Sequence, residues 1–114
     1  MKHKDFYILH SELCKTLSNP KRQEILDNLR GKELTVNELV EKTGIAQANL
    51  SQHLAIMRTK GIVQTRRKGI NIFYSITNPK IINAFDLISE VMNESFLNRT
   101  EALKEAISLD QEKN

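Results

Sequence analysis

Between positions 47 and 53 the chain gathers Gln47, Asn49, Ser51, Gln52 and His53. Glutamine and asparagine carboxamides donate and accept at once, which matches the paired donor and acceptor on adenine's major-groove edge, and serine can meet either a base or a phosphate. Further along come Arg58, Lys60 and then the run Arg66, Arg67 and Lys68, side chains of the type that neutralise phosphates and release counterions. Their setting matters as much as their identity. Residues 44–85 hold six Lys or Arg and no Asp or Glu, whereas residues 86–114 hold three basic and seven acidic residues, within a net charge of +3. An acid-free stretch suits a polyanion, because one misplaced carboxylate repels phosphate. Residues of these types at these spacings support recognition of duplex DNA. A solvated helix face and a strand edge guarded by cations are the plain alternatives for the same residues.

These groups need a scaffold, and the apolar pattern supplies one. From Ala46 to Lys60 the residues Leu50, Leu54 and Met57 mark the buried side of a helix, which turns the polar set to the other side and toward the helix start. Thr35-Val36-Asn37-Glu38 fits a capping box that opens a short helix from Val36 to about Thr43, and Gly44 breaks it. Two helices joined by a glycine-containing turn give a helix-turn-helix over 35–60. After Gly61 the period changes to alternation, Ile62–Arg67 and Ile70–Ile76 with Lys68-Gly69 between them, predicting a hairpin over 62–77 with a basic tip. Upstream, Phe6, Leu9, Leu13 and Leu17 form a helical stripe, and Asn19-Pro20 opens a second helix that reaches Arg30 and stops at Gly31. Downstream, Asn78-Pro79 starts a long helix striped by Ile81, Phe85, Ile88, Met92 and Phe96; Leu103 and Ile107 continue it weakly, and fraying is expected from Asp110 to Asn114. The expected fold is mainly α with a small β-hairpin: about five helices, two of them a helix-turn-helix, plus two strands, in a single domain spanning 1–114.

Three segments carry a likeness: Leu17-Ser18-Asn19-Pro20-Lys21-Arg22, Leu50-Ser51-Gln52-His53-Leu54, and Arg67 through Ile76. Over roughly residues 17–85 the chain resembles the arsenical-resistance-regulator (ArsR) family of bacterial and archaeal winged-helix repressors. The resemblance implies a winged helix-turn-helix, about five helices plus a two-stranded wing, with the hairpin as the DNA-contacting wing. It also implies that the first and last helices, 1–17 and 79–109, form a two-fold dimer interface, with Phe6, Leu9, Leu13, Phe85, Ile88, Met92 and Phe96 as its apolar residues. A dyad would set two reading helices ~34 Å apart along one duplex face. A single-domain core could absorb the same stripes instead. The expected partners are double-stranded DNA and a second copy of the chain, and the sequence names no effector.

Members of this family often respond to metals, and the resemblance locates their ligands. The thiolate pair of one site type falls at Thr35 and Asn37; the carboxylate and histidines of another fall at Asn78, Lys80, Val91 and Glu94, of which only Glu94 is a plausible ligand. The expectation is therefore no metal and no cofactor. Cys14 is the single cysteine, so no intrachain disulfide forms; His10 lies four residues before it with His3 near, which leaves a thiol- or metal-responsive site as an alternative to a packed cysteine beside a surface histidine. His53, alone on its helix, is read as a phosphate contact or packing residue rather than a ligand. There is no glycine-rich phosphate loop and no locally supported His-carboxylate cluster, so no catalysis is expected. No apolar run approaches the ~20 residues of a membrane span, and no leader is evident, so the cytoplasm is the expected compartment. A winged-helix module that binds protein is the competing reading.

Overall fold

Asn19, Thr35 and Asn78 each open a helix by accepting a free backbone amide on a side-chain oxygen. The computed structural model describes the backbone of residues 3–113 and the side chains of residues 3–109, so Met1, Lys2 and Asn114 of the expected terminal segments lie outside the described residues. The first helix, α1 (Lys4–Leu17), is followed by α2 (Pro20–Asn28), where Asn19 Oδ1 accepts from Lys21 N at 2.9 Å and Arg22 N at 3.2 Å. α2 stops two residues short of the expected Arg30, because the chain tightens: Arg30 N donates to Asp27 O and Lys32 N to Leu29 O, three-residue bonds that close the last turn.

The capping box is present in full. Thr35 Oγ1 accepts from Glu38 N at 3.2 Å while the Glu38 carboxylate accepts from Thr35 N at 3.1 Å, opening α3 (Val36–Thr43). Gly44 ends α3 at φ +71, a left-handed conformation that costs an L side chain ~1–2 kcal/mol. Three residues later α4 (Gln47–Thr59) begins. A strand that the sequence did not announce precedes α3: β1 (Leu34–Thr35) pairs antiparallel with β3 (Asn71–Ile76), which pairs with β2 (Val63–Lys68) in the order β1-β3-β2. Two residues are too few to show alternation, so the pattern around Thr35 reads only as a cap.

The hairpin closes on Lys68↔Asn71, leaving Gly69 and Ile70 as the loop, one residue later than the sequence suggested. Gly69 at φ +63 followed by a residue at negative φ matches the twist-compatible two-residue turn that needs glycine first, so Lys68 stays in the ladder. The core lies among α2, α3, α4 and the sheet: Ile25, Leu29, Leu39, Leu50, Leu54, Met57, Ile62 and Val63 are all fully buried. Ile82, in the first turn of α5 (Lys80–Lys113), belongs to the same cluster. Residues through Ile82 make one compact unit, and those from Asn83 onward, the rest of α5, make another. The segment expected to fray from Asp110 continues α5 to Lys113.

Candidate nucleic-acid interface

Burial of Leu50, Leu54 and Met57 orients α4 and leaves Gln47, Asn49, Ser51 and Gln52 exposed on it. Ala46 precedes the helix without a side-chain cap, so the amides of the first turn have no partner within the helix. Those amides and the positive end of the helix dipole favour an anion where the polar side chains begin. Arg58 is exposed in the last turn of α4. Lys60 caps that end and pairs with Glu12 of α1 at 3.8 Å.

His53 is half-buried and engaged. Arg22 Nε donates to its Nδ1 at 3.1 Å, and the Arg22 guanidinium also donates to Thr16 O at 3.3 Å, so one arginine ties α1, α2 and α4 together. Burial pushes the His53 pKa below its ordinary value, helped by the positive charges of Arg22 and Lys21. The ring is neutral at pH 7, with Nδ1 as acceptor and therefore its proton on Nε2.

The three wing cations differ in their surroundings. Register places Arg66↔Phe73 and Lys68↔Asn71 on one face of the hairpin, and Arg67↔Ile72 on the face that Val63 and Ile76 bring to the core. Arg66 is bound: its Nε donates to Glu33 Oε2 at 3.1 Å, a second guanidinium nitrogen meets the other carboxylate oxygen, and the guanidinium lies over the Phe73 ring at 5.2 Å from the centroid. The hydrogen bond from Arg66 is the main reason the Glu33 pKa sits below its ordinary value, and Glu33 raises that of Arg66 in return. Arg67 and Lys68 are exposed and make no ion pair among the described residues. At the apex Ile70 is 95% exposed.

Of the residues the sequence assigned to a dimer face, Leu9 and Leu13 of α1 and Ile88, Met92 and Phe96 of α5 are exposed, while Phe6 and Phe85 are half-buried. Tyr7 and Ile8 are exposed on α1 as well, and Leu87, Val91 and Leu97 on α5.

A family model described as "Bacterial regulatory protein, arsR family" matches residues 19–65, from the cap of α2 into β2. Rv0081 of Mycobacterium tuberculosis is 33% identical in its crystal structure, with a TM-score of 0.78 over 86% of this chain and 99% of that one. The chain belongs to the ArsR family. The transcriptional repressor PagR of Bacillus anthracis is 35% identical across 71% of this ArsR-family chain and 82% of PagR. A solution structure of the homodimeric winged helix-turn-helix DNA-binding domain Mb0332 from Mycobacterium bovis is 27% identical, with a TM-score of 0.73 over 81% of this chain and 85% of that one.

The metal sites that membership suggests can be tested on the residues present. Thr35 Oγ1 is occupied by the capping box, and Asn78 Oδ1 accepts from Lys80 N at 3.0 Å, so both serve helix starts. Asn37 and Val91 offer no thiolate, imidazole or carboxylate. This donor set does not fit zinc, cadmium or arsenite. On α1, His10 Nδ1 lies 3.6 Å from Cys14 Sγ, a pair of exposed donors; among the described residues no three His, Cys, Asp or Glu gather as a metal site would require. No helix among the described residues is long and apolar enough to cross a membrane.

Sequence reasoning missed Arg22 as the partner of His53 and Glu33 with Phe73 as the partners of Arg66. Arg22 stood in a segment quoted for its family likeness, but nothing local linked it to a residue 31 positions away. Glu33 carried no signal at all.

Proposed function

We propose that this chain is a DNA-binding repressor that acts as a homodimer on an inverted repeat, and that it works without the metal sites of its family. The observation that carries this is α4: an uncapped helix start with four exposed base-compatible side chains, Gln47, Asn49, Ser51 and Gln52, in a stretch free of acidic residues. α4 enters the major groove by its N-terminal half, where the two carboxamide types select bases. His53 offers Nε2–H to a phosphate or base, Arg58 meets backbone at the far end, and Arg67 and Lys68 bring the wing to neighbouring phosphates. The exposed apolar residues of α1 and of α5 supply the dimer faces, as such stripes on a small body need covering. PagR, named a repressor, and the homodimeric DNA-binding domain Mb0332 support the sign and the stoichiometry.

The test is selection of bound duplexes from a random pool at fixed salt, with the mass of the complex measured on the winning sequence. Two copies on a site with dyad symmetry are expected; a monomer on DNA, or a site with no dyad, overturns the reading. Affinity should fall steeply with salt, whereas a protein-binding module would show no such slope toward duplex DNA. Zinc, arsenite and cadmium titrated into the complex under reducing conditions should leave it bound. Release from the wild type but not from Cys14→Ser would establish a metal site on α1 in place of the metal-independent reading.

A further inference from the structure

The sequence offers Arg66 as a third phosphate-binding cation of the wing, yet the fold gives it a different set of neighbours. Glu33 stands just before β1, Phe73 lies on the central strand β3, and Arg66 lies on β2, so the three side chains cross the full width of the sheet on one face. β1 runs straight into the cap of α3 at Thr35, the residue that also pairs with Phe73. The contact from Arg66 to Glu33 therefore links the outer strand of the wing to the start of the helix-turn-helix. Its geometry is that of a planar fork gripping a carboxylate at two points while lying over an aromatic ring at cation–π distance. A phosphate approaching Arg66 would meet Glu33 beside it, a like charge at close range, so the pair is a poor anion site. Arg67 carries no such companion, and Lys68, whose charge also helps to lower the Glu33 pKa, forms no ion pair with it.

We infer that Glu33, Phe73 and Arg66 form a clasp that sets the angle of the wing against α3 and α4, with Arg66 a positioning residue through which Arg67 and Lys68 reach the DNA backbone. This rests on the DNA-binding reading. The clasp grips the hairpin one pair beyond Tyr74, where packing against the core ends, and leaves the last two pairs and the loop to project with Ile70 at their tip. Phosphate contact is then made by the cations nearer the turn.

The experiment uses the full chain and the duplex selected above, with affinity measured across a range of salt. Glu33→Asp keeps the net charge but shortens the reach, and Arg66→Gln removes the fork; each should weaken binding about threefold, as partly exposed ion pairs do. Neither should change the slope of log affinity on log salt, while Arg67→Gln should lower it by about one unit per phosphate contact in each subunit. Exchanging the charges, Glu33→Arg together with Arg66→Glu, should restore affinity to within about twofold, since that double variant keeps the total charge and re-forms the pair. A slope that falls with Arg66→Gln, or a charge exchange that binds as poorly as Arg66→Gln, would overturn the clasp and make Arg66 a phosphate ligand. Should the wild type bind no duplex, the DNA reading fails by itself, and amide hydrogen exchange in β2 and β3 decides the clasp. Faster exchange in the single variants with recovery in the charge exchange supports it; unchanged exchange overturns it.

Discussion

α4 and the wing carry polar and basic side chains toward the same proposed task, but they are held by different physics. α4 is fixed from behind: Leu50, Leu54 and Met57 are all fully buried, so the exposed residues between them inherit the rigidity of the core. The wing leaves the core beyond Val63, Ile76 and Tyr74, and past that point its order comes from ladder bonds, the turn and the contacts of Arg66 with Glu33 and Phe73. A reading element needs fixed geometry because a bidentate base contact fails with small displacements, whereas a phosphate contact tolerates them. The helix proposed to select bases is thus built on apolar burial, and the tip of the hairpin proposed to grip phosphate is built on surface pairs.

The most severe way to break this contrast is to hollow out the support of α4. Leu54→Ala should cost roughly 2–5 kcal/mol of stability, measured by denaturant unfolding. If Arg67→Ala cost as much, the wing would be part of the structural core and the contrast would fail. Next in size, Gln47→Ala, Asn49→Ala or Gln52→Ala should each relax selectivity at particular base pairs by about 1–3 kcal/mol, with stability and salt slope unchanged. Binding assays on single-base variants of the selected site check this, and an unaltered base preference in all three variants would remove α4 as the reading element. At the other end, Gly69→Ala places a Cβ at φ +63 and should cost about 1 kcal/mol in the turn. Its signature would be weaker binding to every duplex alike, with base preference retained.

The smallest effect concerns His53, where the two regions share no machinery. Its folded-state pKa is lowered, by burial first and then by Arg22 and Lys21. As pH falls, the unfolded chain takes up the proton before the folded one does, so the stability linked to neutral His53 is present above its ordinary value of about 6.5 and is lost on passing through the lower folded value. Thermal unfolding at pH 7.5 and 5.5 should show a larger acid loss in the wild type than in His53→Gln. Equal losses would mean that folding does not lower the His53 pKa.

What the sequence determined on its own is everything settled within a few residues. The capping box at Thr35 and Glu38, the Asn19-Pro20 start, the helix-breaking glycine at position 44 and the buried triad of α4 were legible because each depends on spacings of four or less, or on one residue type. The family likeness was legible for the same reason, since it rested on short contiguous strings. Tertiary structure alone decided the rest. β1 exists only because β3 is there to pair with it; two isolated residues cannot hold a strand. Arg66 and Glu33 are 33 residues apart, and Arg22 and His53 are 31 apart. Charge and type mark such residues as able to bind phosphate, but whether they are free to do so depends on which carboxylate, ring or imidazole the folded backbone brings beside them. That choice is made by long-range packing, and no local pattern encodes it.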